Sequence, residues 1–335
     1  MTHCMYDALQ LSIIEERVFS GTEFELKLGG GPWSSEPNGA MNGRRLLLEV
    51  FRSFEKKKFI YHCTVNLNGV ADGIFFRQKH DHIPGETRFM LISLNKNGRL
   101  LLFDVPQAIT DVIKGCISEY WLRGLEKERT HREFGCHELK LHGSPWCCSK
   151  DDATTARLLI TLLLQTLASK GWAVVTALEL SRDDKDKAIF VFRSCQPTAV
   201  KHLCLAPIDA KKLSLINGPP EVRKAIGMVI AQSWPHGLSR EGATPLSYEW
   251  KLESYPWIPA SVSGNDDALC RSLMCHILQQ LSSMGWRPLC SVDVASTYTQ
   301  SDDSDKTPDD AHSLFFVFAS VDEADRVYAL WLLYW

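Results

Sequence analysis

Three stretches of the chain alternate charged and apolar residues in the same way. Glu25-Leu26-Lys27-Leu28 leads to Pro32-Trp33, Glu138-Leu139-Lys140-Leu141 to Pro145-Trp146, and Glu249-Trp250-Lys251-Leu252 to Pro256-Trp257. Each is a strand-like alternation. The tryptophans stand 113 and 111 residues apart, far beyond the period of stacked solenoid units, so each copy is the size of a domain.

The pattern continues past each tryptophan. Phe59, Trp172 and Trp286 are a second landmark, with Arg44, Arg157 and Arg271 each fifteen residues upstream. Between them the apolar positions coincide as Val50, Phe51, Phe54; Leu163, Leu164, Leu167; and Ile277, Leu278, Leu281, one face of an amphipathic helix. Gly171 and Gly285 suit a left-handed helix end; copy one has Lys58 there, so its helix end is expected to be built differently. Two extended runs follow, at 59–67 and 74–76, 173–180 and 189–192, and 287–294 and 314–318, and predict hairpins.

Copies one and two then stay in step without a gap from Ser93 to Leu125 and from Ala206 to Leu238. A leucine-alternating strand leads to a helix opened by Pro106 or Pro219, tolerated in a first turn. Each full unit thus reads β-α-β-β-β-β-α, an antiparallel sheet with helices packed on one face, an α+β fold. The predicted domains are residues 20–128, 134–242 and a partial third, 246–335, lacking the closing helix. The apolar run 329–335 requires cover from an earlier copy, a partner or further chain.

Composition narrows the class. With 335 residues, 45% hydrophobic, 23% charged and net charge −3, the chain is expected to be soluble and globular, with no global attraction to nucleic acid or anionic membrane. No signal-peptide run or membrane span is legible. Eleven cysteines without a Cys-x-x-Cys pair point to a reduced, cytoplasmic or nuclear protein.

Candidate chemistry is sparse. Gly29-Gly30-Gly31 matches no phosphate-binding fingerprint and reads as a turn. His80-Asp81-His82 and the scatter His131, Cys136, His137, His142 lack ligand spacing, and Cys147-Cys148 has no counterpart in the other copies. Asn66, Glu179 and Asp293 recur seven residues beyond each landmark aromatic; with Arg44, Arg157 and Arg271 they read as ion pairs tying helix to sheet, or simply as outward strand positions, rather than as a catalytic site, since Asn66 cannot serve as an acid or base. Basic residues between Trp121 and His142 are balanced by Glu126, Glu128, Glu133 and Glu138, which predicts a solvated interdomain segment. The Pro-Trp pairs read as core anchors, and the acidic loop 301–310 as regulatory or solubilising. No catalytic, cofactor-binding or metal residue is assigned, and no cofactor. The expected function is a non-enzymatic interaction or adaptor protein with a protein partner. The alternative is a carrier of a hydrophobic small molecule or lipid; an enzyme with a site at a domain junction ranks lower.

Overall fold

The computed structural model describes residues 12–21, 23–34, 37–66, 72–80, 87–148, 150–180, 186–257, 266–295 and 312–319. The acidic loop 301–310, the run 329–335, Asp81 and His82 lie outside them.

The recurrent Glu-Leu/Trp-Lys-Leu motif is a strand each time: β2 (Glu23–Leu28), β8 (Cys136–Leu141) and β14 (Ser247–Leu252). Each follows a partner that the sequence did not reveal, β1 (Ile13–Ser20), β7 (Leu125–His131) and β13 (Leu238–Ala243). The segment expected to be a solvated linker between Trp121 and His142 is therefore the edge hairpin β7–β8. Its alternating charges pair across and beyond the strands, Lys140 with Glu126 and Lys114 with Glu128. Such pairs suit an edge strand as well as a helix surface, which is why composition did not distinguish them.

Each motif strand is followed by a helix: α1 (Pro37–Lys56), α3 (Lys150–Ser169) and α5 (Asp266–Ser283). The predicted hairpins come next as β3 (Phe59–Asn66) and β4 (Asp72–Gln78), β9 (Trp172–Leu178) and β10 (Asp186–Ser194), and β15 (Trp286–Val292) and β16 (Ser313–Phe318). Helices α1, α3 and α5 all turn into them through a left-handed residue, Gly171 at φ 81°, Gly285 at φ 85° and Lys58 at φ 64°. The expectation that copy one ends its helix differently is corrected: Lys58 accepts the same backbone despite its Cβ.

Two further hairpins, β5 (Phe89–Asn95) with β6 (Arg99–Phe103) and β11 (His202–Ile208) with β12 (Lys212–Ile216), lead to α2 (Gln107–Tyr120) and α4 (Pro220–Ser233). They form the centres of two antiparallel six-stranded sheets. The first runs β7-β8-β6-β5-β10-β9 and the second β13-β14-β12-β11-β16-β15. Hydrogen bonding thus groups the chain as 89–194 and 202–318, out of phase with the 20–128 and 134–242 boundaries read from the repeat. Periodicity fixes the length of a unit but not its starting point, because any cyclic shift of a tandem repeat has the same period.

The sheets and helices alternate in layers. One face of the first sheet, with Leu91, Leu101 and Val191, packs on α1. The other, with Ile92, Leu102 and Phe190, packs on α2 and α3, and α3 also supports Cys204, Ala206 and Phe315 of the second sheet. Leu203, Leu205 and Phe316 face the opposite way, onto α4 and α5. Successive residues on β11 thus serve two different cores, as the strand period of two dictates. Both central strands, β5 and β11, are buried along their whole length. Among the described residues no helix is long and apolar enough to cross a membrane.

Candidate interaction surface

The first unit holds the same outer parts as the other two, β1–β2, α1 and β3–β4, without a counterpart of the central hairpin among the described residues. Its strands form two separate ribbons instead of one sheet. In the complete sheets β8 pairs with β6 and β14 with β12, while β10 pairs with β5 and β16 with β11. Among the described residues β2 pairs with β1 alone and β4 with β3 alone. Each ribbon therefore presents the edge that a central hairpin covers elsewhere.

The motif residues register the difference. Leu139 and Leu141 are fully buried, as are Trp250 and Leu252, whereas Leu26 and Leu28 are only half-buried. Trp146 is 0% exposed and donates from Nε1 to the Arg99 carbonyl on β6 at 3.0 Å; Trp257 is half-buried, its backbone N–H on the Ala210 carbonyl. Trp33 is 52% exposed. It lines an open cleft with Glu15, Arg17, Glu25 and Leu28. The expectation that every Pro-Trp pair anchors a core is corrected for copy one: the anchor's seat is a hairpin. Of the twelve large apolar residues exposed among those described, eight belong to this unit, including Ile14, Val18, Phe24 and Phe75.

The unit is nevertheless built, not frayed. Phe54 stacks on Phe76 at 4.4 Å between ring centroids and Phe51 meets Phe76 edge-on at 5.3 Å, so the β3–β4 ribbon is fixed to α1. An added Cβ at Gly43 would lie 2.0 Å from the Pro32 carbonyl oxygen, so only glycine lets α1 cross the chain just before Trp33. The glycine run is a turn, with Gly30 at φ 76° and Gly31 at φ 57° and Gly29 N–H on the Ser12 carbonyl at 2.8 Å.

The other sequence candidates hold layers together. Arg44 and Arg157 are each 1% exposed and donate through Nε to Ser93 Oγ at 2.8 Å and Ser313 Oγ at 2.9 Å, each on the next sheet. Arg271 is exposed. Asp293 pairs with Lys187 of the preceding sheet at 2.7 Å in a buried ion pair, and Glu179 lies 3.5 Å from His312. Tyr61 donates to Thr176 at 3.0 Å between β3 and β9. The side chain of Asn66 lies outside what is described. These polar groups cross the seams between units, a location visible only once the sheets are stacked.

The ligand-type residues diverge. Cys136 points into the core beneath α1, and burial pushes its thiol up to about 12. Its neighbour His137 contacts Thr130 Oγ1 at 3.1 Å, His131 contacts Glu138 at 3.2 Å, and His80 and His142 are exposed. Among the described residues no three His, Cys, Asp or Glu gather to hold a metal. Cys147 is exposed; burial pushes the Cys148 thiol up to about 12, and it donates to the Pro145 carbonyl.

The model of one domain family matches the chain three times, at residues 1–80, 88–193 and 201–317. The chain belongs to that family. The second and third copies of the family domain coincide with the two six-stranded sheets, and the first spans the two ribbons and α1. A crystal structure of a conserved kinetoplastid-specific protein from Trypanosoma cruzi is similar over 36% of this chain and 99% of its own, at 18% identity and a TM-score of 0.24. No curated protein matches the chain.

Proposed function

We propose that this protein is a non-enzymatic interaction protein of the cytoplasm or nucleus, and that its first unit is the surface that engages a protein partner. The observation that carries the reading is Trp33, exposed beside an edge of β2 that has no strand on it among the described residues, where its equivalent Trp146 is sealed by a hairpin. Strand addition to an exposed edge supplies main-chain hydrogen bonds, and the flanking apolar side chains supply selectivity. The ten described cysteines are all free thiols, as a reducing compartment favours. The carrier alternative requires room between sheet and helices, and Ile113, Ile117, Trp121, Leu139 and Phe190 fill that space beside the first six-stranded sheet.

The test places a photo-crosslinking amino acid at Trp33, at Phe75 or, as an equally exposed control on α4, at Met228. Discrete protein adducts from the first two positions and none from the third support the reading. No adducts at any position, or equal labelling at all three, overturns it.

A further inference from the structure

We propose that the edge of β2 that carries no strand among the described residues pairs with the same edge of a second copy of this chain. The pairing is antiparallel about a two-fold axis, so that two β1–β2 ribbons become one four-stranded sheet. The inference rests on the interaction reading above and names the partner.

The ribbon itself is the first ground. Among the described residues β1 and β2 pair with each other alone, and their apolar side chains Ile14, Val18 and Phe24 are each 61% exposed. A lone two-stranded ribbon is marginally stable in water, and further strands give it independent stability. In the complete sheets the counterparts of β1, the strands β7 and β13, stand at the edge, whereas the inner sides of β8 and β14 are taken by β6 and β12. The position that calls for a neighbour is therefore the inner side of β2.

The second ground is that β2 complements itself. Its residues alternate, with Phe24, Leu26 and Leu28 on one face and Glu23, Glu25 and Lys27 on the other. An antiparallel pairing centred on Leu26 sets Leu26 against Leu26, Phe24 against Leu28 and Glu25 against Lys27, the last two contacts each occurring twice. Centring on Glu25 or Lys27 sets like charges face to face, which is destabilising, and a shift by a single residue sets apolar side chains against charged ones. Of the registers that engage most of the strand, only the one centred on Leu26 satisfies both faces. The edge of β4 has no such complementarity: centred on Phe75, it sets Gly73 against Arg77 and Asp72 against Gln78.

The third ground is Trp33. Trp146 owes its seat to the strand beside β8, where its Nε1 donates to the carbonyl of Arg99, the residue opposite Lys140. Lys27 and Trp33 occupy the same two places 113 residues earlier. In the register centred on Leu26 the residue opposite Lys27 is Glu25 of the second copy, so the incoming β2 brings a carbonyl to the place that Arg99 fills for Trp146. Trp33 borders the cleft along this edge with Leu26 and Lys27. Each copy uses the same surface, so the contact is isologous and closes at two chains.

The test uses the full chain and two variants, Glu25→Lys and Lys27→Glu, at positions that are both exposed. Either reversal sets like charges together at both crossings of a pair of identical chains. Mixing the two variants sets opposite charges together at both crossings again. Circular dichroism confirms that each variant folds, and analytical ultracentrifugation reads mass. The expected result is a concentration-dependent dimer of the intact chain and nothing larger, self-association weakened by about tenfold or more in each variant, and a dimer restored in the equimolar mixture. A monomeric intact chain, a larger array, variants that pair with themselves as tightly as the intact chain does, or a mixture no tighter than its components overturns the proposal. If it is overturned while Trp33 and Phe75 still crosslink to another protein, only the identity of the occupant falls. If the crosslinks vanish too, the interaction reading falls with it.

Discussion

At the scale of single residues, Lys58, His202 and the pair Lys187–Asp293 carry measurable free energies. Lys58 adopts a left-handed backbone at which Gly171 and Gly285 stand in the other copies. Replacing it with glycine removes a Cβ penalty of roughly 1 kcal/mol, so Lys58→Gly should raise the denaturant midpoint of the chain, and a lowered midpoint would count against the equivalence of the three helix ends. His202 lies in β11, 1% exposed, and burial lowers its pKa from 6.5 to about 4. The unfolded chain therefore binds a proton that the folded chain refuses across that window. Its contribution to stability is complete above about pH 6.5 and is lost as pH falls toward 4, by on the order of 3 kcal/mol. Urea titrations at several pH values should show His202→Gln reducing that slope; an unchanged slope would assign the acid sensitivity to other groups. The Lys187–Asp293 pair is buried on both sides, so Lys187→Met, which leaves a carboxylate in the seam, should destabilise by roughly 3–5 kcal/mol. Adding Asp293→Leu should recover most of the loss, since the cost lies in a buried carboxylate deprived of the Lys187 cation.

At the scale of elements, one motif in three settings separates propensity from context. Strands β2, β8 and β14 share the same alternation, yet β8 and β14 have interior neighbours while β2, among the described residues, pairs with β1 alone. Trp146→Ala should cost about 3–5 kcal/mol, through the cavity and the lost hydrogen bond to Arg99, whereas Trp33→Ala should change the stability of the isolated chain by less than about 1 kcal/mol. Parallel thermal denaturation of the two variants checks this, and equal losses would mean that Trp33 has a covered seat in solution. The edge strands β7 and β13 were missed for a local reason. Leu-Glu-Lys-Glu-Arg-Thr-His has no apolar face to betray a strand, and its residues are held by hydrogen bonds to β8 rather than by burial.

At the scale of the whole molecule, the layers make each unit depend on its predecessor, since α1 covers a face of the first sheet and α3 a face of the second. Stability in such a stack is shared between units and interfaces. The grouping of strands predicts where the chain tolerates cutting. A fragment beginning at residue 88 keeps both sheets, whereas one beginning at 134 loses β5, β6 and β7 and leaves β10 without an interior neighbour. The first, although it uncovers the face that α1 packs on, should unfold cooperatively, and the second should show no cooperative transition, as followed by circular dichroism. A cooperative fragment from 134 would restore the boundaries read from the repeat.

The sequence by itself determined the tandem repetition, the α+β class, the helices, and the hairpins Phe59–Gln78, Trp172–Ser194 and Trp286–Phe318, because these are local patterns of period two and 3.6 repeated in register. It also separated Lys58 from its glycine counterparts, although not the backbone they share. Only the tertiary structure decided where a unit starts, because phase depends on which strands exchange hydrogen bonds across a hundred residues. It also decided what each repeated side chain does. Arg44, Arg157 and Arg271 are one residue type at one position, yet the first two are buried against the next sheet and the third is exposed. Trp33 and Trp146 likewise differ in whether a hairpin lies beside them, a relation between distant elements that no local pattern encodes.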